Sequence, residues 1–242
     1  MSCNNARRPF TVFVEGNIGS GKSTFLSYFN DFADIFVALE PVHLWQDVNG
    51  HNILELMYEA PLEWSFAFQS LVQKTMLDIH TAKCSQPIKI MERSLQSGRH
   101  VFIENLYRQN VMAPAEYAVL TSFYESMLKN FDVNGDLISE LLPSIRVVYN
   151  RMRERGRTEE NQVSLEYLKQ IHRLHEDWLV QKTVVENLPR ASPLHLVLGS
   201  DINLAESAFS THDSEMFAHS VWIILILIDE KKCVLKENIL CV

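Results

Sequence analysis

Residues 12–26 read VFVEGNIGSGKSTFL, and this stretch decides the fold. Val12, Phe13 and Val14 make an apolar run. The turn after it has the spacing Gly16-x-x-x-x-Gly21-Lys22-Ser23, and Thr24, Phe25 and Leu26 begin a helix. A buried strand that feeds a glycine-rich turn and opens a helix leaves free backbone N–H groups pointing at whatever sits over the helix N-terminus. Gly16, Gly19 and Gly21 let the backbone fold tightly and approach an anion without a Cβ in the way, and Asn17, Ile18, Ser20 and Thr24 complete the stretch. Lys22 supplies a point charge to the β- and γ-phosphates, and the Ser23 hydroxyl suits a magnesium ion bridging them. A glycine-rich turn with no ligand would need strand, spacing, Lys and Ser to coincide by chance. The stretch therefore predicts a nucleoside triphosphate site.

The rest of the chain bounds what receives the phosphoryl group. With 242 residues, 47% of them hydrophobic, it can bury one sizeable α/β core. A net charge of −8 argues against a nucleic-acid scaffold, whose phosphates most of this surface would repel, whereas a small ligand feels only local charges. Cys3, Cys84, Cys233 and Cys241 make no C-x-x-C pair, as free thiols in a reducing compartment would. Residues 1–8 carry no apolar h-region, and Arg7 and Arg8 are too few for a transit peptide. The expectation is a cytoplasmic protein, or a mitochondrial one given a longer N-terminus. The apolar run 221–228 is too short for a membrane span, which needs about 20 residues.

Apolar runs starting at 12, 35, 88, 136 and 194 alternate with helical patterns, which predicts a five-stranded parallel sheet covered by helices on both faces. Glu40 and Glu92 close the second and third runs, at strand C-terminal ends where open α/β sheets bind ligands. Helical spacing covers 53–58, 64–79, 117–131 and 164–180; in the second of these Gln69, Val72 and Met76 share one face. The fourth run is the weak one. Residues 139–146 (SELLPSIR) continue it poorly, and Pro143 should not lie in a central strand. Arg151, Arg153, Arg155 and Arg157 crowd one short segment; charge alone reads as a solvated face, but guanidinium groups beside a phosphate loop suit phosphoryl oxygens.

EGNIGSGKST, Glu40-Pro41-Val42 with Trp45, LMY at 56–58, Gln69, ERS at 92–94 and RMRERGRTEE at 151–160 together resemble the deoxyribonucleoside kinases, and within them the insect multisubstrate enzymes and the mitochondrial thymidine kinase 2 group. The resemblance runs in order from about residue 10 to 204. It implies a P-loop kinase domain over 10–206 with a lid near 151–161, a short extension at 1–9 and an atypical tail at 207–242. It further implies transfer of the ATP γ-phosphoryl group, with Mg2+, to the 5′-hydroxyl of a small deoxyribonucleoside, thymidine and deoxycytidine first, in nucleotide salvage by a homodimer. On this likeness Glu40 matches the carboxylate near the 5′-hydroxyl, Arg93 its partner, and Glu92 the magnesium acid; the sequence leaves open whether Glu40 or Glu92 takes the proton. Gln69 matches the amide that reads the base, Trp45, Phe68 and Phe102 the aromatic walls, and Tyr58 with Glu160 the grip on the sugar 3′-hydroxyl. The four arginines match the lid, and Asp201 stands in the turn near the adenine.

Departures from the family pattern carry expectations of their own. Gly98 stands where relatives have Ala or Asp, which would widen the pocket near Val72 and Met76 and extend base choice toward purines. DLISELLPSIR stands where a more regular strand is usual, and it leaves a competing expectation of a nucleotide- or nucleoside-binding protein that has lost turnover. A thymidylate kinase would need a basic residue for the acceptor's phosphate, and Glu40 is the wrong charge for that place.

Overall fold

The computed structural model describes residues 8–179 and, as backbone, 194–198; Asp201, the tail 207–242, and Cys3, Cys233 and Cys241 lie outside the described residues. Val12 and Val14 are fully buried and Phe13 nearly so, because their strand β1 (Phe10–Gly16) lies mid-sheet. It pairs in parallel with β3 (Ile88–Glu92) on one side and β4 (Leu137–Leu141) on the other. With β2 (Ile35–Ala38) beside β3 and β5 (Leu194–Leu198) beside β4, the order is β2-β3-β1-β4-β5. All five predicted strands are present and parallel.

Nine α-helical segments are described: α1 (Lys22–Ser27), α2 (His43–Gln46), α3 (Ile53–Glu59), α4 (Pro61–Thr81), α5 (Leu95–Ser97), α6 (Glu104–Arg108), α7 (Pro114–Asn130), α8 (Ile145–Arg155) and α9 (Leu165–Leu179). Pro61 sits at the start of α4, where its missing N–H costs nothing, so the break read at Ala60-Pro61 separates two consecutive helices. Between α5 and α6 the chain runs through a π-helical stretch, Gly98–Ile103. Parallel register puts Phe13, Met91 and Ile138 side by side, and α9 covers them with Ile171, Leu174 and Trp178. That 3.6-period stripe on α9 is the one visible in the sequence.

The expected weakness of the fourth run is not borne out. β4 ends at Leu141, so Pro143 lies past the last paired residue, in the connection to α8, and no ladder bond is lost. All five β4 residues are buried, including Ser139 and Glu140, which stand opposite Val14 and Glu15. Glu15 is itself fully buried and accepts the Ser94 hydroxyl at 2.6 Å. Burial outweighs that bond and the Arg93 and Lys22 charges, lifting the Glu15 carboxyl to about 7. The centre of this sheet is therefore more polar than its period suggests.

Candidate active site

The phosphate loop follows β1. Gly16, Gly19 and Gly21 have φ of 132°, 80° and 95°, which a side chain resists. Space forbids one as well, since a Cβ on Gly16 would come within 2.5 Å of the Leu141 carbonyl oxygen and one on Gly19 within 2.6 Å of that of Val148. Asn17 anchors the loop by donating Nδ2 to Leu168 O at 2.8 Å, and its Oδ1 accepts from Ile18 N. Ser20 is buried, and Thr24 is exposed on α1. Lys22 is buried, with Nζ donating to Asn17 O at 2.8 Å and Gly16 O at 3.2 Å. Burial, then repulsion from Arg93, lowers its ammonium to about 7 against the pull of Glu92, Glu40 and Glu15.

Two carboxylates converge on this loop from neighbouring strands. Glu92, the last residue of β3, accepts Ser23 Oγ at 3.0 and 3.1 Å on its two oxygens and Glu40 N at 3.4 Å. Glu40, two residues past β2, pairs with Arg93 Nε at 3.0 Å. Arg93 is held in a left-handed conformation, φ 62°, its N–H donating to Val14 O. The guanidinium lies 4.6 Å from the centre of the Phe102 ring, and its Nη1 is buried with no hydrogen-bond partner among the described residues. Burial raises the Glu40 carboxyl above the ordinary carboxylate range, Arg93 opposes this, and Glu92 adds to it. A serine hydroxyl and a carboxylate 3.0 Å apart are hard oxygen donors of the kind magnesium takes when phosphates complete its shell.

Beyond Glu40 and Arg93 the cleft opens into a cavity of about 380 Å³. Trp45 and Phe68 meet edge to face at 5.6 Å, and Trp45 is fixed by donating Nε1 to Thr75 Oγ1 at 2.9 Å. Gln69 is buried on the same helix, its Oε1 with no partner among the described residues, and Val72, Phe102 and Tyr58 also face the space. Burial, then the neighbouring Tyr167 and Glu160, lifts the Tyr58 hydroxyl well above its usual value, so it is a neutral donor. Met76 packs instead with Leu95, Tyr124 and Val133, outside the lining. Gly98 is buried and also outside the lining, yet a Cβ built on it would meet nothing within 4 Å.

The four arginines separate. Arg155 and Arg157 line the cavity and both donate to Glu160, at 2.6 and 3.3 Å. Arg151 reaches the phosphate loop at Ser20 O, 3.5 Å away. Arg153 turns elsewhere, to Asn161 O and over the Tyr149 ring. Tyr167 and Gln46 are among the lining residues that sequence reading does not assign to the site. Tyr167 falls on the apolar stripe of α9 and reads as core, while Gln46 ends a helix of four residues, too short to show a period.

A family model described as deoxynucleoside kinase matches residues 12–223. The chain is 43% identical over 190 residues to thymidine kinase 2, mitochondrial, of Homo sapiens, covering 78% of this chain and 70% of the relative. It is 32% identical over 228 residues to deoxycytidine kinase of Bos taurus, covering 84% and 86%, and 31% identical over 206 residues to deoxyguanosine kinase, mitochondrial, of Xenopus laevis, covering 76% and 78%.

Proposed function

The chain belongs to the deoxynucleoside kinase family and is an ATP-dependent deoxynucleoside kinase, and from that premise we propose that Glu40 takes the proton of a deoxyribonucleoside 5′-hydroxyl as that oxygen attacks the γ-phosphorus of ATP. The observation that carries this reading is the linked set Ser23–Glu92–Glu40–Arg93, which joins the phosphate loop to the nucleoside cavity through contacts of 3.0–3.4 Å. Glu40 suits the base because its carboxyl is raised and so accepts a proton more readily than an ordinary carboxylate. Glu92 is already committed to Ser23 Oγ and the Glu40 N–H, which fits the magnesium role better than the base role. A bound magnesium would be held by Ser23 and Glu92 and would neutralise phosphate charge. Arg155 and Arg157 supply fixed positive charge for the oxygens of the transferring group, and Lys22 adds its own where phosphate holds it protonated. The free Nη1 of Arg93 fits the 5′-oxygen.

In the cavity, the open amide of Gln69 suits the edge of a base held between Trp45, Phe68 and Phe102. Tyr58 and Glu160 suit the sugar 3′-hydroxyl; Glu160 keeps acceptor capacity beside its arginines, because a carboxylate offers about four lone-pair sites. Thymidine and deoxycytidine are the expected acceptors; the purine reading rests on the open space at Gly98, which lies on the same π-helical stretch as the lining residue Phe102 and not in the lining itself. A salvage role follows from such substrates. A homodimer is supported by exposed Leu62 on α4 and exposed Val119 and Phe123 on α7, two helices that pack together.

Phosphate transfer from labelled ATP, with magnesium, to thymidine, deoxycytidine, deoxyadenosine and deoxyguanosine in parallel tests the reading. Glu40→Gln should cut turnover about 10²–10⁴-fold while nucleoside affinity stays within an order of magnitude. Rate should rise with pH through a carboxyl pKa above 4.5, since only ionised Glu40 accepts the proton, and that limb should vanish in the variant. Wild-type turnover in Glu40→Gln would remove it as the base.

A further inference from the structure

Glu159 and Glu160 are adjacent, both buried, on the 3₁₀ turn Thr158–Gln162, and their carboxylates serve different parts of the molecule. Glu160 holds Arg155 and Arg157. Glu159 Oε1 accepts Gln46 Nε2 at 2.8 Å and Asn52 Nδ2 at 3.0 Å. Gln46 ends α2, and Asn52 caps α3 by accepting Glu55 N at 3.1 Å. Between them the chain doubles back through the paired Val48 and His51 and the left-handed residues Asn49 and Gly50. One carboxylate oxygen therefore fastens both ends of that turn. The helices it joins carry Trp45, Leu54 and Met57, which with Phe68 form one apolar cluster of the nucleoside cavity.

We propose that Glu159 is a positioning residue that couples the two substrates, so that seating the triphosphate on Arg155 and Arg157 firms the α2–α3 wall around the nucleoside, and the reverse. This rests on the functional reading above, in which those arginines serve ATP and that wall serves the nucleoside. Glu159 touches neither substrate. It acts because two carboxylates one peptide apart on a single tight turn cannot be oriented independently. Coupling of this kind is a free energy shared by the two sites, and it is reciprocal.

The test is thymidine affinity by calorimetry, with and without a non-hydrolysable ATP analogue and magnesium. In the wild type the analogue should tighten thymidine about 10-fold. Glu159→Ala should reduce that ratio to below about 2-fold, and Glu159→Gln, which keeps an acceptor oxygen for Gln46 and Asn52, should restore most of it. A merely structural role would weaken thymidine equally with and without the analogue, leaving the ratio intact; that result overturns the proposal. If Glu159→Ala does not melt cooperatively, Gln46→Ala carries the same expectation, because it removes one donor and leaves the lid turn whole. A wild type with no tightening also overturns the proposal, and the phosphate-transfer assay tells that outcome apart from failure of the kinase reading.

Discussion

The two ends of the cleft are built in opposite ways. The phosphate end is one continuous stretch, residues 16–24, whose three glycines all have positive φ, and at Gly16 and Gly19 space excludes a side chain as well. The nucleoside end is assembled from α2, α3, α4, the π-helical stretch and α9, and no two of its aromatic walls Trp45, Phe68 and Phe102 come from one element. A backbone site carries its function in its spacing. A side-chain cavity carries it in packing between distant segments, so the same residue types mean core in one protein and pocket in another.

The sharpest way to break this contrast is Lys22→Ala. If the phosphate end is self-contained, kcat/KM for ATP should fall about 10³-fold while thymidine affinity, measured without ATP, changes less than about 3-fold. Unchanged ATP kinetics would undo the phosphate-loop assignment. A large loss of thymidine affinity would show that the two ends are not separable at all.

Legibility in the sequence follows the same divide. The five strands, the loop and both strand-end carboxylates were readable because period, spacing and the C-terminal edge of a parallel sheet are local or topological rules. Gln69, Trp45, Phe68 and Tyr58 acquired roles only through family likeness; taken singly, each reads as core or edge. Met76 shows the cost of reading a helix face alone, since it shares a face with Gln69 yet packs away from the cavity. Glu159 left no signal, because its partners Gln46 and Asn52 lie more than a hundred residues earlier. The extent of the fourth strand over 137–141 is hidden for a different reason: polar Ser139 and Glu140 break the apolar run, and nothing local announces that the sheet's centre already buries Glu15.

Glu15 lets the phosphate end be probed from beneath. Its carboxyl titrates near 7 in the fold and near 4.5 when unfolded, so between those values the folded state binds more protons than the unfolded one. Stability from this group is full below pH 4.5 and is lost as pH rises through about 7. Glu15→Gln mimics the protonated form and still accepts from Ser94. It should raise stability at pH 8 by about 1–3 kcal/mol and flatten the slope between pH 5 and 8 in urea melts. An unchanged slope would show that Glu15 stays ionised and that its neighbours solvate it.

The gentlest probe belongs to the nucleoside end, and it asks whether that cavity can be reshaped without touching the loop. Gly98 begins the π-helical stretch with helical dihedrals, φ −52° and ψ −49°, so alanine fits the backbone without strain. The Cβ would enter space that holds no atom within 4 Å. Alanine in a helix is favoured over glycine by about 0.5–1 kcal/mol, so Gly98→Ala should melt slightly higher. The same methyl narrows whatever room a larger base uses, and one methyl in a pocket is worth about 1 kcal/mol, or several-fold. Purine kcat/KM should therefore fall relative to thymidine by about 3- to 10-fold, with the KM for ATP unchanged. If both base classes respond alike, the space at Gly98 is not part of the base pocket, and base choice must be sought at Val72 and Gln69 instead.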